Sequence, residues 1–130
     1  MAGLVWVSDR EPGIRQLFAE LVPEAEVLEP DELTSRLRLG QLPDALVIDG
    51  TQLMELPQRV QRRALLLPRL LICTGLSLGG LPPSLVAEPS VAILAKPFCV
   101  DDLEAAIEWL RGTPVKVEPD LLAPVVGPRH

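Results

Sequence analysis

Four runs in this chain are apolar to the core: LVWVS at residues 4–8, ALVI at 45–48, LLIC at 70–73 and VAILA at 91–95. A strand with one wet face alternates apolar and polar residues, whereas a run without interior charge is covered on both faces. The segments between them have helical spacing. After Pro12, which suits a first helical turn, Ile14, Leu17, Phe18 and Leu21 fall at i, i+3, i+4 and i+7. A weak strand over Glu26–Leu28 precedes a helix that opens at Pro30-Asp31-Glu32, turns Leu33 and Leu37 inward and stops at Gly40. The pattern predicts a third helix over 53–66, with Leu53, Leu56, Val60 and Ala64 inward, and a last one from about Asp101 to Arg111. Between the fourth and fifth strands, GLSLGGLPPSLVAEP is so rich in glycine and proline that its helix must be short or degraded. Five βα units with fully apolar strands give a doubly wound five-stranded parallel sheet, a three-layer α/β/α sandwich with right-handed crossovers.

At 130 residues the chain is long enough for one domain, read here as residues 1–112. The remainder, TPVKVEPDLLAPVVGPRH over 113–130, reads as an extended or disordered proline-rich tail, a docking arm or linker. A net charge of -6 and an aromatic content of 3 % argue against nucleic-acid binding through phosphates or base stacking. No apolar run reaches membrane-spanning length and no leader pattern opens the chain, so a cytoplasmic protein is expected. Cys73 and Cys99 form neither a disulfide framework nor a metal motif, and His130 is the only histidine, which excludes histidine-based zinc or acid–base sites. Trp6 reads as core, and Trp109 as packing on the flank of the last helix or, failing that, a partner contact.

The strands end in single polar residues: Asp9, Asp49, Thr74 and Lys96. In a doubly wound sheet the carboxyl ends of the strands share one edge, where ligands bind. Two carboxylates, a hydroxyl and an ammonium are thus expected to converge. An isolated aspartate there would more often be a turn or cap residue.

On these residues the stretch from about 3 to 111 resembles the receiver domains of two-component response regulators. SDREPGIRQLF is similar to the acidic loop and first helix of that family, ALVIDG to its phosphoacceptor strand, LLICTG to its Thr/Ser strand, and AILAKPF with VDDLEAAIEWL to its Lys-Pro strand and final helix. The resemblance implies a signalling protein, not an enzyme, in a phosphorelay. Asp49 would accept a phosphoryl group from a histidine kinase or phosphotransfer protein, with Thr74 and Lys96 contacting that group. Mg²⁺ would be held by Asp9, Asp49 and the backbone carbonyl of Thr51. Output would pass to a separate protein, and a homodimer is left open. The Lys96-Pro97 bond would be cis, as is usual in the family.

The chain departs from the family at Arg10, where a second acid is usual. Two readings follow. Either the guanidinium points inward and takes or weakens the cation site, or it faces solvent and Glu11 supplies the second carboxylate through water. Ile93 replaces a frequent aromatic, the loop GTQLMELP lacks the usual elements, and Gly79, Gly80, Pro82 and Pro83 break the fourth-unit helix. These features favour an alternative, a degenerate receiver that acts as a phosphorylation-independent protein-binding adaptor. VIDGT also resembles the nucleophile loop of haloacid-dehalogenase-type phosphatases, but Thr51 and Val47 stand where the second aspartate would be needed. A flavin-binding reading fails because SDREPG offers no phosphate cradle.

Overall fold

The computed structural model describes residues 4–75, 81, 83–86, 88–112 and 125–126. Strands β1 (Val5–Ser8), β2 (Glu26–Val27), β3 (Ala45–Asp49), β4 (Arg69–Thr74), β5 (Val91–Ala95) and β6 (Val125–Val126) form one sheet in the order β2-β1-β3-β4-β5-β6. Every pairing is parallel. The order of the first five strands is the flavodoxin-like one, in which the winding reverses between β1 and β3.

The helices are α1 (Pro12–Leu21), α2 (Pro30–Arg38), α3 (Gly50–Glu55), α4 (Gln58–Leu65), α5 (Pro83–Val86) and α6 (Val100–Leu110). Side chains alternate across the strands and sort the core into two layers. Val5, Val7, Val47, Leu71, Cys73 and Leu94 pack on one face with Phe18 of α1 and Leu103, Ile107 and Trp109 of α6. Trp6, Leu46, Ile48, Leu70, Ile72 and Ile93 pack on the other with residues of α2, α3, α4 and α5. Trp6 and Trp109 are both core, and each ring lies under a guanidinium, Arg36 at 5.3 Å and Arg69 at 5.0 Å.

Two expectations are corrected. The helix expected over 53–66 is two helices, α3 and α4, and α3 starts at Gly50. Pro57 has no N–H to continue the first helix and drives the residue before it out of the helical region, so Leu56 is extended with ψ 144. The sheet also gains a sixth strand from the segment expected to be an extended or disordered tail. Val125 and Val126 pair with Ile93 and Leu94, covering part of the β5 edge. The rest of that tail, and Gly79, Gly80 and Pro82, lie outside the described residues.

Elsewhere the local signals match. Pro12 and Pro30 open their helices, Asp31 and Glu32 sit in the first turn of α2, and Gly40 takes φ 83 just past its end. Helix α5 is four residues long, as the glycine and proline content demands. The C-terminus of α2 is closed by a long-range contact that sequence spacing does not show. Arg63 of α4 donates to the carbonyls of Leu37 and Arg38. Among the described residues, no helix is long and apolar enough to cross a membrane.

Candidate functional site

The carboxyl ends of β1, β3 and β5 bring Asp9, Asp49 and Lys96 together. Asp9 continues the alternation of Val5 and Val7, Asp49 that of Val47, and Lys96 that of Leu94, so all three lie on the α1/α6 side. Lys96 is the hub. Its Nζ donates to Asp49 Oδ1 at 3.0 Å, Asp9 Oδ2 at 3.1 Å and Glu11 Oε1 at 3.1 Å. The Lys96-Pro97 bond is cis.

Each carboxylate has a second anchor or an exit. Asp9 is fully buried, and its Oδ1 accepts the backbone N–H of Glu11 at 2.9 Å. Asp49 caps α3, its Oδ2 accepting from the Gln52 N–H at 3.1 Å, which places the carboxylate at the positive end of a short helix. Glu11 starts α1 and remains largely exposed. Burial pushes the Asp9 carboxyl above its ordinary range, against the opposing pull of the Glu11 N–H and the Lys96 ammonium. At Lys96 burial works against the charge, but hydrogen bonds to Asp49, Glu11 and Asp9 outweigh it. The net shift is upward and the ammonium stays charged at neutral pH.

A cleft of about 650 Å³ opens above this cluster. Asp49, Lys96, Glu11, Thr51 and Gly75 form its polar part, and Ile14, Leu17, Pro97 and Phe98 form an apolar wall.

Arg10 does not enter the cluster. Its guanidinium turns outward and pairs with Glu55, the last residue of α3, and both side chains are half exposed. Of the two readings of the acidic loop, the outward arginine holds. Glu11 accepts a hydrogen bond from Lys96. The cluster therefore has three carboxylates around one ammonium and keeps two negative charges in excess.

Thr74 stands apart. It continues the alternation of Leu70 and Ile72, which faces α2–α5, and is buried with 1 % exposure. A Cβ added at Gly50 would lie 2.5 Å from Thr74 Oγ1 and 2.7 Å from Thr74 Cβ, so Gly50 is the residue that lets β4 approach the start of α3. The cleft is lined by the neighbouring Gly75. Thr51 is exposed at the rim. Sequence reasoning passed over Gln52, whose Nε2 donates to Ser8 Oγ at 2.7 Å in the interior and ties α3 to β1. The helix expected to start at residue 53 hid its role.

The resemblance implies a divalent cation, and the donor set suits one. Carboxylate oxygens are the ligands hard cations take, and Mg²⁺ usually binds one or two carboxylates and keeps several waters. Among the described residues, no group of three or more His, Cys, Asp and Glu side chains is arranged to hold a metal by itself. Lys96 fills the centre they share, so a cation would sit beside it on two of the carboxylates, facing the cleft. The excess negative charge favours such binding.

No protein-family model matches the chain, and no curated protein matches it. Among solved structures it is similar to the NMR structure of the pseudo-receiver domain of the CikA protein, at 18% sequence identity and a TM-score of 0.46, over 84% of this chain and 97% of that one.

Proposed function

We propose that this chain is a receiver-type phosphoacceptor that takes a phosphoryl group on Asp49 and signals through protein–protein contacts. The observation that carries the reading is the state of Asp49. Its carboxylate borders an open cleft, one oxygen held by a backbone N–H at a helix start and the other by Lys96. A carboxylate is a weak nucleophile, so the site must act through positioning and charge neutralisation.

In the proposed step the N–P bond of a phosphohistidine on a histidine kinase or phosphotransfer protein breaks. A bond forms between an Asp49 oxygen and phosphorus, and the imidazole leaves and takes up a proton. The Gln52 N–H fixes the carboxylate's rotation, and the Lys96 ammonium faces the charge that develops on the phosphoryl oxygens. Glu11 and Asp49, the acids that line the cleft, would hold Mg²⁺, which would supply charge neutralisation on those oxygens when bound. Glu11 here fills the place of the acid that Arg10 displaces. The output partner would be a separate protein, and a cytoplasmic setting follows from the class of phosphodonor.

A second reading rests on a specific observation, the contact of Lys96 with all three carboxylates. Each acid has a hydrogen-bond partner in the shared Lys96 ammonium without added metal, which suits an adaptor that binds its partner regardless of phosphorylation.

Intact mass after incubation with acetyl phosphate and Mg²⁺, beside an Asp49→Ala control, separates the two. A phosphoryl adduct on the parent chain and none on the variant is the expected result. A folded parent chain without adduct, both here and with a panel of phosphorylated histidine phosphotransfer domains, would instead leave the adaptor.

A further inference from the structure

Arg10 lies between two residues, Asp9 and Glu11, that both reach Lys96, yet its own side chain leaves the cluster for Glu55. Glu55 is no arbitrary partner. It ends the short helix α3 whose first turn is capped by Asp49, so one six-residue element fixes both the candidate phosphoacceptor and the anchor of the arginine. Glu11, the neighbour on the other side, is largely exposed and lines the cleft together with Asp49.

We propose that Arg10 and Glu55 form a clasp that keeps a tethered cation out of the acidic cleft, with Glu55 acting as a positioning residue for it. With the clasp closed, the cleft keeps its two excess negative charges and accepts a divalent cation. With the clasp open, the guanidinium turns onto Glu11 and Asp49, removes one of those charges and competes with the metal. A change at Asp49 that shifts the start of α3 would also shift Glu55, so the clasp couples the occupancy of the cleft to the surface around α3. The metal side of this inference rests on the cation-dependent phosphoacceptor reading above, whereas the position of the arginine does not.

The test uses the full chain, its Glu55→Gln variant and the double variant Glu55→Gln/Arg10→Gln. In metal-free protein, the side-chain carboxyl ¹³C resonances of Glu11 and Asp49 are expected to move in Glu55→Gln and to return toward the parent values in the double variant. On titration with Mg²⁺ alone, followed by the backbone amides of Asp9, Glu11 and Asp49, Glu55→Gln should bind on the order of tenfold more weakly at low salt, and the double variant should recover the parent affinity. Carboxyl resonances that stay put in Glu55→Gln would overturn the clasp, as would a shift that persists in the double variant. If the carboxyl shifts occur but the parent chain binds no Mg²⁺, the clasp stands and the cation-dependent reading of the site falls.

Discussion

Asp9 shows how the site is held against its own stability. The residue is fully buried, and burial is the largest influence on it, raising its pKa above 3.8 in spite of the Glu11 N–H and the Lys96 ammonium. A carboxyl whose native pKa is raised binds protons more readily in the folded state. Its stabilising contribution is complete below the unfolded value and is lost as the pH rises through the native one. At neutral pH the ionised group is therefore a net cost. Asp9→Asn keeps an oxygen for the Glu11 N–H and removes the charge, so it should raise stability at pH 7 by on the order of 1 kcal/mol. Urea unfolding across pH should show this gain shrinking as the pH falls toward the ordinary carboxylate value of 3.8. A gain that grows at acid pH would mean that Lys96 contributes more to the charged form than burial removes. The presence of Asp9, Asp49 and Lys96 at strand ends was legible because apolar runs stop at them. The direction of Arg10 was not, because it depends on the backbone of a loop and on a partner 45 positions away at Glu55. Thr74, expected at the same strand edge, is buried at the end of β4 with its hydroxyl against Gly50, the residue after Asp49.

Among the elements, helix starts were easier to read than helix continuity. Pro12 and Pro30 mark first turns by removing a donor that has no partner there, a local effect visible in the sequence. Pro57 acts the same way, but Leu53, Leu56, Val60 and Ala64 keep a helical period across it and masked the break. The end of α2 shows a different limit. Its last carbonyls are met by Arg63 from α4, a contact that requires the two helices to pack side by side on one face of the sheet. Arg63→Ala should leave those carbonyls to solvent and lower stability by about 1 kcal/mol, read as a shift in the urea midpoint at unchanged m-value. No shift would mean that water replaces the guanidinium at no cost.

For the molecule as a whole, the five-stranded doubly wound sheet was legible because fully apolar strands admit few other architectures. The sixth strand was not. Val125-Val126 is too short to stand out among prolines, and only the exposed edge of β5 gives it a partner. The same sheet separates the two cysteines. Cys73 lies in β4 between Asp49 of β3 and Leu94 of β5, fully buried, its thiol pushed far above the usual range by burial and by nearby carboxylates. Cys99 is exposed at the start of α6, beside the Phe98 that lines the cleft. Iodoacetamide should thus add once to the native protein and twice in denaturant, as intact mass would show; two rapid native adducts would contradict the burial of β4. The chain consequently carries its own clock. The slow second alkylation counts openings of the strand next to Asp49, and an ion or phosphoryl group that binds the closed cleft should slow it in proportion to its affinity. A dye on Cys99 would report from the rim with every other residue left as it is.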